Sequence, residues 1–119
     1  MLFTSEIVRI SRFNRVRQAV LVLTKENIYL FDGDNLERRH SISNMTAIIK
    51  SSINTEAVFV FPDSKDLRFS GLSSQRLKEI QDLIQLCYVN KRPKKTLLIF
   101  GVPQTSLRDF SLDKRNSGV

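Results

Sequence analysis

The stretch that decides the fold runs from Val8 to Phe31 and reads VRISRFNRVRQAVLVLTKENIYLF. Its middle, AVLVL, is continuously apolar and rich in β-branched residues, which predicts a strand that is central in a sheet or covered on both faces. An unpaired charge is costly to bury, so the basic residues around this run must reach water. These basic residues are Arg9, Arg12, Arg15, Arg17 and Lys25, and no acidic residue lies between the first and the last of them. The stretch therefore predicts a strand that leaves the core at one rim of a sheet and carries there a cluster of cations suited to an anion.

Length and composition are those of one globular domain. The chain has 119 residues, of which 41% are hydrophobic and 26% charged. No apolar run approaches the ~20 residues that span a bilayer, and we expect neither a secretory signal nor a lipid anchor. The single cysteine, Cys87, excludes an internal disulfide and a thiolate metal cluster. We expect a cytoplasmic protein.

The net charge of +7 is unevenly distributed. A second acid-free basic cluster follows the first and consists of Lys91, Arg92, Lys94 and Lys95. The two clusters hold more positive charge than the whole chain has net, so the remainder is slightly acidic. A localised excess of this kind favours phosphates or acidic surfaces as partners. The second cluster is equally well explained as a membrane support or as a solvated loop, and a nuclear-localisation signal ranks below both.

Apolar patterning predicts a mainly β domain. Seven strands are expected, at Glu6–Arg12, Gln18–Thr24, Ile28–Phe31, Leu36–Ile42, Thr46–Lys50, Ala57–Phe61 and Leu67–Ser70. From Ser74 to Tyr88 the apolar residues recur at helical spacing, with Ser73 or Ser74 as N-cap. Thr96–Phe100 predicts an extra strand after the helix. We expect a seven-stranded barrel in residues 1–103, plugged at one end by the C-terminal helix, and a flexible tail in residues 104–119.

Three stretches resemble a known family. They are IVRISRFNRVRQAVLVLT, ISNMTAIIKSSINTEAVFVF and KDLRFSG, which begin at Ile7, Ile42 and Lys65. In order and spacing they are similar to the membrane-binding tail-homology (TH1) domain of class I myosins, within the pleckstrin-homology-like superfold. The resemblance implies that Arg9, Arg15 and Arg17 hold inositol phosphates. Here the loop that connects the first two strands is shorter than in the family and carries Arg12.

Binding chemistry supports a role for these arginines, whereas no catalytic arrangement is recognisable. A guanidinium group grips phosphate oxygens with paired donors and never loses its charge. Pairing with acids across the sheet is the alternative role, and for Arg12 the two are equally weighted. His40 lies beside Arg38 and Arg39, has no partner cysteine or histidine for a metal, and is expected at a solvent-facing strand position. Cys87 lies on the apolar side of the helix, where a buried thiol behaves as a small apolar group. We expect no enzyme activity, no cofactor and no metal.

Two functions remain open. The leading hypothesis is a peripheral membrane module that binds anionic phospholipids, phosphoinositides especially, through the first basic cluster. The alternative is a protein–protein interaction module that acts through a strand edge or the helix as an adaptor in a cytoskeletal or ciliary assembly. Nucleic acid is a weaker candidate, because RNA-binding sheets usually expose aromatic residues on adjacent strands.

Overall fold

A computed structural model describes residues 1–110 of the chain. In this part there are eight strands: β1 (Phe3–Ile10), β2 (Val16–Leu23), β3 (Asn27–Asp32), β4 (Asn35–Ser41), β5 (Ala47–Ser51), β6 (Ala57–Val60), β7 (Leu67–Ser70) and β8 (Leu98–Val102). The helix α1 spans Ser74–Lys91, and two short 3-10 turns lie at Ile42–Asn44 and Arg108–Phe110. These elements confirm the predicted β-barrel with one C-terminal helix and an extra strand behind it.

The strands form one sheet in the order β4-β3-β2-β1-β7-β6-β5-β8. All neighbours are antiparallel except β5 and β8, which run parallel. β1 belongs to both halves, since it pairs with β2 along its whole length and with β7 near its end. Buried side chains of both halves, among them Leu21, Ile28, Phe59 and Phe69, pack in a single cluster. The sheet therefore curls around one core.

Helix α1 plugs the end of the barrel where β2 turns into β3. The backbone N–H of Arg76 donates to the Ser73 hydroxyl at 3.1 Å, which confirms the predicted serine cap. Leu77, Ile80 and Ile84 face the core and are buried. At the other end of the helix, Lys91 donates to the Glu26 carboxylate in the β2–β3 turn at 2.7 Å. No helix within residues 1–110 is long and apolar enough to cross a membrane.

Residues 104–110 pack against the barrel, which differs from the flexible tail expected there. Leu107 is fully buried, and its backbone N–H donates to the Glu56 carboxylate. The backbone carbonyl of Gln104 accepts a hydrogen bond from the Ser51 hydroxyl at 2.6 Å. One buried leucine and these bonds hold the segment, although its composition is mostly polar. Residues 111–119, the rest of the predicted tail, lie outside the described residues.

A buried arginine ties this segment to the β1–β2 hairpin. The Arg68 side chain on β7 is only 4% exposed. Its guanidinium group donates to Glu56 at 2.8 Å, to the side-chain oxygen of Asn14 at 2.9 Å and to the Ser106 hydroxyl at 3.1 Å. Three separate loops therefore converge on one charge.

Candidate functional site

The β1–β2 hairpin closes through a tight loop at residues 12–14. The Ser11 N–H donates to the Arg15 carbonyl at 2.8 Å, and the Ser11 hydroxyl accepts hydrogen bonds from the N–H groups of Phe13 and Arg15. Asn14 adopts a positive φ of 61°, a conformation that asparagine tolerates better than most residues. Because Arg68 also holds the Asn14 side chain, the short loop has a defined shape.

Arg9 and Arg17 lie directly opposite each other in this hairpin. Side chains alternate between the two faces along a strand, so Arg9 lies on the same face as Ile7, and Arg17 lies on the same face as Ala19. Ile7 and Ala19 are both buried, so this face is the inner one. The two arginines thus extend from the core toward the barrel end that α1 leaves open. Two like charges placed opposite each other repel, so this arrangement needs a negative partner.

Glu37 supplies that partner from a β-bulge. Phe31 pairs with Leu36 while Leu30 pairs with Arg38, which leaves Glu37 with no opposite residue and redirects its side chain. One carboxylate oxygen of Glu37 bonds to Arg9 and the other to Arg17. Arg17 also lies 3.1 Å from the Asp32 carboxylate. The sequence has no acidic residue within this cluster, but in the fold Arg9 and Arg17 both pair with acids across the sheet, which is the alternative role considered above.

Arg38 is a further cation at the same place, and no local sequence pattern indicated it. It lies opposite Leu30 and so faces inward, half-buried. Its guanidinium group donates to the backbone carbonyls of Lys65 and Asp66 in the β6–β7 loop. Burial and the nearby charge of Arg9 lower the pKa of Arg38 to about 10, so it stays charged at neutral pH. We call Arg9, Arg17, Glu37 and Arg38 the mouth of the barrel.

His40 supports Arg38 in a neutral form. Its ring stacks on Phe61 at 3.9 Å between centroids, and its Nε2 accepts a hydrogen bond from Arg38 at 2.9 Å. Burial and the charge of Arg38 lower the pKa of His40 to about 4. The expected solvent-facing position is therefore wrong: the residue is half-buried and acts as an acceptor.

The lowered pKa of His40 predicts that the folded protein loses stability in acid, and that replacing His40 removes this part of the loss. The unfolded chain binds a proton at His40 below pH 6.5, whereas the folded chain binds it only near pH 4. The free energy of unfolding should therefore fall between these two pH values, by on the order of 1–2 kcal/mol from this group, because solvent screening weakens the effect at a half-buried position. Urea denaturation at pH 7 and at pH 4.5 measures the fall, which should be clearly smaller in His40→Gln. An equal fall in both proteins would contradict the prediction.

The remaining predicted arginines lie at the tip of the hairpin and are exposed. The guanidinium carbon of Arg12 lies 6.0 Å from the centre of the Phe13 ring, and Phe13 is 73% exposed. Within residues 1–110, neither Arg12 nor Arg15 forms an ion pair. The hairpin therefore presents two unneutralised cations beside an exposed aromatic ring.

Lys25 does not belong to this site, and its inclusion among the candidate residues is corrected here. It lies in the β2–β3 turn, at the far end of β2 from Arg17. Eight extended residues separate the two positions by about 26 Å, at about 3.3 Å per residue. The charge of Lys25 acts instead on Cys87 of the helix. Burial raises the pKa of the Cys87 thiol, and the charge of Lys25 opposes this rise.

The second basic cluster lies at and just beyond the C-terminal end of α1. Lys91 bonds to Glu26 at the plugged end of the barrel. Arg92 and Lys95 line a shallow groove that also contains Asp63 and Tyr88, and Lys94 is exposed. In the described part of the chain, no group of three or more His, Cys, Asp or Glu side chains is placed to hold a metal ion.

The fold is similar to two solved structures. The N-terminal PH domain of human ARAP2 matches with a TM-score of 0.68 and 5% sequence identity, over 79% of this chain and 84% of that one. The hSac2 domain of the human phosphoinositide phosphatase Sac2 matches with a TM-score of 0.64 and 11% identity, over 87% of this chain and 77% of that one. No protein-family model and no curated protein matches the sequence. At these identities the likeness confirms the pleckstrin-homology-like fold and no finer assignment.

Proposed function

We propose that this domain is a peripheral membrane module that captures the phosphate groups of anionic phospholipids, phosphoinositides above all, at its mouth. The observation that carries the proposal is the convergence of Arg9 and Arg17 on the two oxygens of one carboxylate. A phosphate group offers the same kind of oxygens with more charge, and paired guanidinium donors suit it well. Arg38 adds a third cation at the same place.

The hairpin tip would strengthen this contact. Arg12 and Arg15 are free to face an anionic surface, where each basic residue contributes about 1 kcal/mol. Phe13 would then reach the interface between headgroups and acyl chains. Lys25 and Lys91 lie toward the plugged end of the barrel, so we assign them no part in this contact.

Several independent observations support this assignment. The sequence resembles the lipid-binding tail of class I myosins, and we propose a relationship to that family. One structural neighbour is a PH domain and another comes from a phosphoinositide phosphatase. We propose binding rather than catalysis for this chain, since His40 is held between Phe61 and Arg38. The proposed location is the cytoplasmic surface of a membrane.

Vesicle sedimentation tests the proposal. The full chain should pellet with vesicles that contain a phosphoinositide, pellet less with phosphatidylserine vesicles and stay in solution with phosphatidylcholine alone. Because the contact is electrostatic, raising the salt from about 0.1 M to about 1 M, which shortens the Debye length from about 10 Å to about 3 Å, should release most of the protein. Equal pelleting with neutral and acidic vesicles at low salt would refute the proposal.

Glu37 should weaken lipid binding, because it occupies the two arginines that a phosphate would need. We expect Glu37→Gln to raise the affinity for phosphoinositide vesicles about tenfold, since one net hydrogen bond to a charged group is worth about 1.5 kcal/mol. Asp34→Asn is the matched control: it removes the same charge from the adjacent exposed turn, and Asp34 forms no ion pair within residues 1–110. If both variants gained equally, net charge alone would explain the effect.

The adaptor function remains the second candidate, and β8 is the observation that favours it. This strand lies at an edge of the sheet and exposes 49% of Leu98 and 46% of Phe100. An extended peptide could add to such an edge. A protein partner that remains bound after charge reversal of Arg15 and Arg17 would support this function over lipid binding.

A further inference from the structure

The solvent-facing side of strands β1 to β4 is unusually apolar. On β2 the buried residues are Ala19, Leu21 and Leu23, so the side chains between them point outward. The same alternation on the neighbouring strands gives a surface, which we call the outer β1–β4 face, whose apolar residues are Val8, Ile10, Val16, Val20, Val22, Tyr29, Phe31 and Leu36; Gln18 lies among them on β2, opposite Val8. An antiparallel sheet normally carries polar residues on a face that meets water.

The register makes this face contiguous. Val20 lies opposite Phe31 and Val22 lies opposite Tyr29. The rings of Tyr29 and Phe31 stack with their centroids 6.4 Å apart. Val16 is 66% exposed and Leu36 is 52% exposed, so the edges of the face are open to solvent. These residues therefore form a patch rather than scattered apolar positions.

The other elements in residues 1–110 pack elsewhere. Helix α1 plugs the end of the barrel, as its buried residues and its bond to the β2–β3 turn indicate. The segment 104–110 bonds to β7 and to the β5–β6 loop. Neither element extends over the outer β1–β4 face, so something outside this part of the chain must cover it if it is to be buried.

Two opposite charges flank the face. Glu6 lies on β1, where it is opposite Val20, and Arg39 lies on β4, where it is opposite Tyr29. Both are exposed, and neither forms an ion pair within residues 1–110. Glu6 lies in the same cross-strand row as Val20 and Phe31, and Arg39 lies in the same row as Tyr29 and Val22. These two rows are neighbours on this face of the sheet, because they are two residues apart along each strand. The two positions thus differ by only about 7 Å along the strands, at about 3.4 Å per residue.

We propose that a second copy of this chain covers the outer β1–β4 face, in a two-fold symmetric dimer in which Glu6 of each copy meets Arg39 of the other. A two-fold axis parallel to the strands places β1 of one copy over β4 of the other, as sheets pack in aligned sandwiches. The charges then pair twice, at both sides of an apolar centre. A self-complementary surface is what an isologous dimer requires.

The size of the face sets the expected strength of the dimer. Four strands about 4.8 Å apart and six residues of about 3.4 Å each give roughly 400 Å² in projection. This is below the roughly 800 Å² that each partner buries in a standard stable interface. We therefore expect a reversible dimer whose population rises with protein concentration.

A charge exchange tests the proposal. Sedimentation velocity of the full chain over a range of concentrations should show a monomer–dimer equilibrium. Glu6→Arg and Arg39→Glu should each raise the dissociation constant at least tenfold, because each places like charges together at both sides of the interface. The double variant E6R/R39E should restore dimerisation. Lys94→Glu, which changes charge outside the face, should leave it unchanged.

Each alternative outcome overturns the proposal. A wild-type protein that stays monomeric at every concentration shows that no second copy binds there. Dimerisation that persists in both single variants places the interface elsewhere, and a double variant that stays monomeric shows that the two charges do not meet. Val22→Lys, an outward-facing change near the centre of the patch, provides an independent check and should abolish the dimer while leaving the circular dichroism spectrum intact.

Discussion

Replacing Arg9 and Arg17 together by glutamine is expected to lower the affinity for phosphoinositide vesicles by about 100-fold or more. Each arginine can form charge-assisted hydrogen bonds to a phosphate group, worth about 1.5–3 kcal/mol apiece. Two such losses give at least about 3 kcal/mol, or roughly two powers of ten in the dissociation constant. Vesicle sedimentation with a fixed lipid composition and salt concentration measures the change.

The control for this double variant must remove the same charge elsewhere. Lys94→Gln with Lys95→Gln does so in an exposed segment that is distant from the hairpin in sequence. If binding depends on the mouth, this control should lose only a few-fold in affinity. An equal loss in both double variants would mean that the domain responds to net charge and that the opposed arginines have no special role.

The second large effect concerns stability. Arg68→Met should lower the free energy of unfolding by about 3–5 kcal/mol, because it leaves the buried Glu56 carboxylate without its charged partner. Folded domains have only about 5–15 kcal/mol of stability, so the change is severe. It also removes the bonds to Asn14 and Ser106. Denaturant titration followed by circular dichroism measures the loss.

A pair of further variants identifies the cause. Arg108→Met alters an exposed arginine beside the same segment and should change stability by less than about 0.5 kcal/mol. Arg68→Met combined with Glu56→Leu removes both buried charges and should recover much of the loss. If the double variant were as unstable as Arg68→Met alone, the ion pair would not explain the effect.

The elements predicted well are those that local patterns determine. The apolar run from Ala19 to Leu23 became part of β2, a central strand of the sheet whose inward-facing residues Ala19, Leu21 and Leu23 are buried. The helix was recognisable because Leu77, Ile80 and Ile84 recur at helical spacing and Ser73 can cap it. The strand after the helix was recognisable because residues 96–100 are mostly apolar, although Leu97 is the buried residue there and Leu98 and Phe100 remain exposed. Boundaries shifted by a few residues, since pairing partners and not composition decide where a strand ends.

What the sequence could not supply was contact between distant positions. Glu37 lies 28 residues from Arg9 and 20 from Arg17, and only the bulge in β4 turns it toward them. Lys25 is close to Arg17 in sequence, yet an extended strand separates them. Leu107 is one apolar residue among polar ones, and nothing local indicated that β7 and the β5–β6 loop would receive it.

Glu6 and Arg39 lie on opposite sides of the outer β1–β4 face, and their pairing in a dimer would affect how strongly the domain binds a membrane. If these charges pair across a two-fold axis parallel to the strands, the two arginine-bearing hairpins point in the same direction. Both could then touch one lipid plane at once. The second contact would form at an effective concentration in the millimolar range, so two weak attachments would act together as one firm one. Occupancy of the membrane would then rise more steeply than in proportion to protein concentration.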